Sequence, residues 1–455
     1  MGGIILFVIQ NVVPVIEILG GLIPIVNKTK TFMKFKQWAQ NLHVHTRMHS
    51  VEELNKKVSE FNFNNLGKSS QLDGRILMDI YKDDMRKMTI CDNEGAQRDI
   101  YIPYLEIINF TKNPNAKINI SCSKEDPLFL DKDKSYRLPD EISDAMQKCL
   151  DMVIKENPGT HDDPHPRLAS LQRVGEDEYK CTLEETNYYT QIKTNLSMDY
   201  KYRLNGFKNT MRDSERDRHY LEKKEWEELG VKNDALHPKC LTSLENSMLA
   251  NVIGVSAIWL MENEGDDDAK IYLMPRNKKV GVYKCKLGMP SGDIESPQYR
   301  QKTAEQHNRF RDESLIEYLK WEIAREFAEE TGIADRSKPL EDYSVKISKY
   351  KKTGEETATV KDEDYINLYT DVEIIPLALT REMLRGGKPQ MFFLIRTKKF
   401  SESILKSCFL KSLGKDEFDE PLLITSASIS AEVACNYLYA MEYLRPNLEG
   451  IIHLN

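Results

Sequence analysis

Between Ser314 and Gly332 the chain carries a helical repeat with two faces that need different surroundings, and this constrains its fold more than any other feature. Leu315, Ile316, Leu319, Ile323 and Phe327 recur at three- and four-residue spacings, so one stripe must be buried against another element. Ser314 and Glu317 have the capping-box pattern at the start, and Gly332 is a usual helix stop. Strand patterns flank the helix. Residues 252–261 and 270–274 enclose a polar, glycine-bearing turn, and further strand patterns lie at 365–369, 372–377 and 391–397. A second helix is predicted over 430–444. Strands on both sides of a central helix, with another helix at the end, predict an α/β fold, an α/β/α sandwich with a mixed sheet over 246–455.

The other face of the first helix carries the chemistry. Glu326, Glu329 and Glu330 stand at i, i+3 and i+4, which stacks three carboxylates within one turn. Three adjacent anions repel one another, and a divalent cation between them would relieve that cost. The run Arg325-Glu326-Phe327-Ala328-Glu329-Glu330-Thr331-Gly332-Ile333 resembles the second half of the Nudix box, R-E-U-x-E-E-x-G-U with U a bulky apolar residue, and every fixed position is filled. The resemblance spans roughly 246–448 and extends weakly upstream from Arg167.

The resemblance implies a pyrophosphohydrolase that uses Mg2+ or Mn2+ to cleave a nucleoside diphosphate-linked small molecule. Glu326, Glu329 and Glu330 would be the metal ligands and catalytic carboxylates, with Arg325 orienting them. The first half of the box departs from the family pattern. Glu317 has the family interval to Arg325, but Arg311 occupies the glycine position before it. Gly292, in Met289-Pro290-Ser291-Gly292-Asp293-Ile294-Glu295, resembles the family's glycine loop and its closing glutamate, which makes 296–311 an insertion inside the box. On this reading Gly292 lets backbone approach the metal, and Arg276 and Lys278, with Lys279 beside them, are candidates to meet phosphates.

The front of the chain has another character. Residues 4–26 form an apolar run with Glu17 as its one formal charge; as a helix it would span roughly 34 Å, about one bilayer core. Pro14, Pro24 and the Gly20-Gly21 pair weaken that helix, and a central carboxylate costs on the order of 3 kcal/mol unless it is protonated or paired. Pairing with Glu17 of a second copy would make the segment an assembly element and the protein a homo-oligomer. Lys28, Lys30, Lys34 and Lys36 follow at once, so the expectation is a single-pass membrane anchor over 1–27 with the body in the cytoplasm.

Three more regions follow that anchor: 28–157 with no readable motif, an α+β segment over 158–245, and the α/β domain. The breaker-rich stretch 158–166 marks the boundary between the first two. His161, Asp162, Asp163 and His165 in it read as a solvated linker rather than metal ligands. Residues 212–228 alternate in charge like a solvent-facing helix. With 64 Lys and Arg against 72 Asp and Glu, the net charge of −8 offers no footprint for a nucleic-acid polymer. Eight scattered cysteines without a C-x-x-C pair suggest reduced, buried thiols. An alternative role is a membrane-anchored sensor that binds a nucleotide with little hydrolysis, as in antiviral nucleotide signalling; a third is a scaffold, against which the complete R-E-U-x-E-E run argues.

Overall fold

The computed structural model describes residues 48–60, 81–91, 96–121, 160–197, 251–263, 269–276, 286–295, 314–331, 372–399 and 428–446, with short stretches and single positions between them. The apolar run 4–26, the charged stretch 212–228, Lys278 and Lys279, and the insertion 296–311 lie outside the described residues. Among the described residues no helix is long and apolar enough to cross a membrane.

The architecture is mixed α/β, with helices α1 (Val51–Ser59) and α2 (Tyr188–Lys193) preceding the two that cover the main sheet. Seven strands build the main sheet: β1 (Met48–Ser50), β2 (Tyr104–Asn109), β3 (Gly254–Met261), β4 (Lys270–Tyr272), β5 (Ser291–Asp293), β6 (Glu373–Glu382) and β7 (Lys388–Thr397). Their order is β1-β4-β3-β7-β6-β2, and β5 pairs with the first residues of β3 on its other side. The β3–β7 pair is parallel and the rest are antiparallel. The hairpin expected around 262–268 is present, with Met261 opposite Lys270. Both outer strands come from the N-terminal third, although neither β1 nor β2 has a sequence signal strong enough to announce it.

Side chains alternate across a strand, so the sheet offers two faces, and each has its own core. Val255, Ala257, Trp259, Met391, Phe393 and Ile395 lie in one cluster with Leu319, Ile323 and Phe327 of helix α3 (Leu315–Thr331). The Phe327 ring meets Trp259 edge-on, with centroids 4.8 Å apart. Ile258, Leu260, Phe392 and Leu394 point the other way and pack on helix α4 (Ala431–Leu444). Both helices start where the sequence predicts: the Ser314 hydroxyl accepts from the Glu317 amide at 3.3 Å, and the Ser430 hydroxyl from the Val433 amide at 3.1 Å.

Upstream, Lys117–Ile120, Glu178–Asn187 and Pro164–Arg173 form a three-stranded sheet, and a one-and-a-half-turn helix, Tyr188–Lys193, follows the middle strand. Pro164, His165 and Pro166 therefore belong to a strand and not to a linker. The prolines are tolerated because this is an edge strand and Pro164 is its first residue. The segment is tied to the main sheet at Asn251, which holds a left-handed φ of 43° just before β3. The Asn195 side chain accepts from the Asn251 amide at 2.8 Å and donates to the Gly386 carbonyl at 3.1 Å in the β6–β7 turn. Cys91, Cys181 and Cys435 are buried and none is in a disulfide.

Candidate functional site

The carboxylate face of α3 is covered by β5 and by the residues just after it. Ser291 donates its backbone N–H to Glu330 Oε2 at 3.1 Å, and the Glu295 N–H goes to Glu322 Oε2 at 3.0 Å. Gly292 sits between these two bonds and faces Glu326. A Cβ built on Gly292 would lie 2.7 Å from Glu326 Oε2 and closer still to Cδ and Oε1. Any other residue here would have to displace that carboxylate, so the glycine is required by close approach and not by an unusual φ. Gly292 and Glu326, separated in sequence by the insertion, thus meet in space.

Arg325 is the hub of the cluster. Its Nη1 donates to Glu329 Oε2 at 2.9 Å and lies 3.4 Å from Glu295 Oε1; its Nη2 donates to Glu322 Oε2 at 3.2 Å and pairs with Glu326. The guanidinium is almost fully buried. Burial alone would lower its pKa, but Glu326, Glu322, Glu329 and Glu295 together outweigh burial and hold it well above the ordinary value, so Arg325 stays charged. Four carboxylates surround one guanidinium, Glu330 follows Glu329 on the same helix, and the site carries a strong excess of negative charge. As the side chains stand, no group of three or more His, Cys, Asp or Glu among the described residues is arranged to hold a metal ion. Glu326 and Glu329 are turned onto Arg325, and Glu330 onto the Ser291 amide.

The structure thus brings together Arg325, Glu326, Glu329, Glu330 and Gly292. Arg276, just after the strand residues Met274–Pro275, reaches β5 from its other face: its Nη1 donates to Ser291 Oγ at 3.3 Å, and its methylenes lie over Gly288, whose missing Cβ makes room. Lys278 lies outside the described residues. Glu317 is not part of the cluster. It is exposed near the helix start and pairs with Lys320 at 3.0 Å, as a capping residue does. His165 is buried with Nδ1 2.8 Å from the Ile294 carbonyl, and Asp162 accepts from the Tyr189 amide at 2.9 Å, so these two have structural partners.

Glu322 was not legible as part of the site. It sits at i−4 from Glu326 and i−3 from Arg325, a spacing that could have flagged it. The sequence also gave no sign of the charged residues on the opposite side of β5. Lys388 Nζ pairs with Asp293, Arg385 with Glu382, and Glu432 lies 3.7 Å from Arg385. Burial would raise the Asp293 carboxyl, but Lys388, His165 and Arg385 outweigh it and hold it below its usual range. Burial pushes Glu432 up, opposed in part by Arg385, and pushes the Tyr188 hydroxyl up to about 12. Neither a family model nor a curated protein matches the chain.

Proposed function

We propose that the chain is a Nudix-type hydrolase that cleaves a phosphoanhydride bond in a nucleoside diphosphate-linked small molecule with the help of Mg2+ or Mn2+, held at a membrane by residues 1–27. The observation that carries this reading is the seat of β5 on α3: glycine backbone against the Glu326 carboxylate and the Ser291 N–H on Glu330. A helix with only a structural role has no reason to crowd four carboxylates around one buried arginine with Glu330 alongside, since like charges in a low-dielectric site repel strongly. The donor set, all carboxylate oxygen with backbone able to approach at Gly292, suits a hard divalent cation. The layering of α3 and α4 on opposite faces of a mixed sheet supports the same reading.

The cation would supply charge neutralisation at the phosphate oxygens and lower the pKa of a bound water. Glu326, Glu329 and Glu330 would hold it, and Arg325 keeps Glu326 and Glu329 on the same side of the helix while balancing part of their charge. The water oxygen forms a new bond to phosphorus, and the bridging P–O bond breaks. The departing phosphate leaves with the electron pair, and the water proton passes to one of these carboxylates. Arg276, held by Ser291 on the other face of β5, would be available to a phosphate oxygen of the substrate that reaches that side. With the anchor in a bilayer, the lysines that follow the apolar run would put this chemistry on the cytoplasmic side.

The test is a hydrolysis screen of nucleoside diphosphate-linked compounds with Mg2+ and Mn2+, using Glu329→Gln and Glu330→Gln as controls. Metal-dependent release of a phosphorylated product by the wild type and not by the controls is expected. An inactive wild type that binds a nucleotide tightly would replace this reading with the sensing role.

A further inference from the structure

Behind β5, on the side of α4, the described residues form one continuous buried polar chain. Gln191, in the short helix Tyr188–Lys193, donates Nε2 to Asp293 Oδ2 at 2.9 Å, and Asp293 pairs with Lys388. Lys388 Nζ and Gln390 Oε1 together fill the space beside Gly254, where a Cβ would lie 2.7 Å from Nζ and closer still to Oε1. Gln390 Nε2 donates to Glu432 Oε1 at 3.0 Å and to Ser256 Oγ at 3.2 Å. One turn along α4, Asn436 Nδ2 donates to the Ser256 carbonyl at 3.2 Å.

The partners lock three amides in one orientation each. A carboxylate or a backbone carbonyl can only accept, so Gln191, Gln390 and Asn436 must turn their NH2 groups toward Asp293, Glu432 and the Ser256 carbonyl. Their three carbonyl oxygens are thereby left without a donor among the described residues. Bulk water does not compensate, because the residues are 1%, 1% and 0% exposed. Each undonated buried oxygen costs about 1–3 kcal/mol. The cations and carboxylates of the chain, in contrast, already pair with one another: Lys388 with Asp293, and Arg385 with Glu382 and Glu432. What the cluster lacks is N–H and O–H donors rather than another ion.

We propose that this polar cluster, walled by the helix Tyr188–Lys193, β3, β7 and α4, is a recognition site for a neutral group rich in hydrogen-bond donors. The shared chemistry is that of the amino edge of a nucleobase or the hydroxyls of a sugar. The group is the part of the substrate that lies across β5 from the phosphate-cleaving carboxylates; this last link rests on the hydrolase reading above, whereas the donor-binding site stands on its own geometry. The three-stranded sheet and helix upstream of the main sheet then become part of substrate selection, because Gln191 reaches the site only from there.

The full chain carrying Glu329→Gln to prevent turnover would be titrated calorimetrically, without divalent metal, against inorganic pyrophosphate, ribose 5-phosphate, the four ribonucleosides, and their diphosphates with and without an attached sugar. At least one nucleoside-bearing or sugar-bearing probe should bind about tenfold or more tighter than pyrophosphate. Tighter binding of nucleosides identifies the base as the source of the donors, and tighter binding of ribose 5-phosphate and the sugar conjugates identifies the sugar. Gln191→Met or Asn436→Leu, added singly, should weaken that binding about tenfold, the loss of roughly one hydrogen bond, and leave pyrophosphate unchanged. If Asn436→Leu does not fold, Gln191→Met on a separate element carries the test. The proposal is overturned if no probe outbinds pyrophosphate, or if the variants bind the probes as before and merely melt at a higher temperature, as expected where the oxygens only hold water. Probes that bind but are never hydrolysed by the wild type with Mg2+ or Mn2+ would sink the hydrolase reading and keep the recognition site. Hydrolysis whose KM ignores Gln191→Met would do the reverse.

Discussion

Replacing Gly292 by alanine separates the proposed chemistry from the fold more cleanly than any change to a charged residue. The added methyl would lie 2.7 Å from Glu326 Oε2 and closer to the rest of the carboxylate, where ordinary contact begins at 3.4 Å. Glu326 must therefore withdraw by about 1 Å, and it can, because the atoms in the way are the end of a flexible side chain. Backbone strain is not involved, and alanine narrows the unfolded ensemble slightly, so the net stability change should stay within about 1 kcal/mol. Catalysis is less forgiving, since a 1 Å misplacement of a reacting group commonly costs about 100-fold. Thermal unfolding of Gly292→Ala should therefore be nearly that of the wild type. The melting-temperature rise on adding Mg2+ or Mn2+ should shrink, and turnover should fall about 100-fold. A Gly292→Ala protein with undiminished turnover and metal response would refute the argument that β5 and Glu326 form the reactive seat.

Other expectations follow from the same geometry. Glu329→Gln should abolish metal-dependent hydrolysis while the metal-free melting temperature holds or rises, because three other carboxylates still neutralise Arg325; loss of folding would contradict this. Arg325→Met should destabilise by about 3–5 kcal/mol, as removal of one partner from a buried ion cluster does, and divalent cation should restore part of the loss in a thermal melt. Burial, with Lys57 adding to it and Glu53 opposing it, lowers His49 from 6.5 to about 4. The unfolded chain therefore binds a proton that the folded one refuses between those values, and stability falls as pH drops from 6.5 toward 4. The loss from this residue is about 2 kcal/mol by pH 5, measurable as a urea-midpoint shift that His49→Gln removes. Deleting residues 1–27 should move the protein from the membrane fraction to the soluble one; a full-length chain that is soluble without detergent would remove the anchor from the proposal.

Local signals made part of the fold legible. Ser314 and Ser430 cap the helices the apolar spacing predicts, and the hairpin between β3 and β4 follows from its polar turn, since each depends on neighbours within a few residues. β1, three residues long, and β2 have no periodicity strong enough to assign them to this sheet, and only long-range pairing to Tyr272 and to Ala378 places them there. The glutamates of α3 were legible for the same local reason, whereas Gly292 was singled out only by the resemblance of its loop to that of the Nudix box. Glu317, at the right interval from Arg325, instead points to solvent, because interval counts position along a helix and says nothing of which strand will cover it. The polar cluster was hidden altogether. Asp293, Lys388, Gln390 and Glu432 are spread over 140 residues in sequence as isolated polar positions, and an isolated polar residue at the end of a strand ordinarily faces water.

The two sides of β5 are connected by that strand's own alternation. Successive residues of a strand point to opposite faces, so Gly292 necessarily faces α3 if Ser291 and Asp293 face away from it. Ser291 and Asp293 pair with Ser256 and Gly254 in β3, the residues that the buried amide chain surrounds. Asp293, gripped by Lys388 and Gln191, thus fixes the height at which Gly292 meets Glu326. A register slip of one residue would turn the Asp293 carboxylate onto α3, among five others, and bury Gly292 where Lys388 needs a partner. The electrostatic cost of that exchange gives β5 a single stable register. It follows that the carboxylate seat and the donor-poor cluster are set by one strand: removing the Asp293 carboxylate should reach both, whereas Gln191→Met leaves the Lys388 pair to hold it.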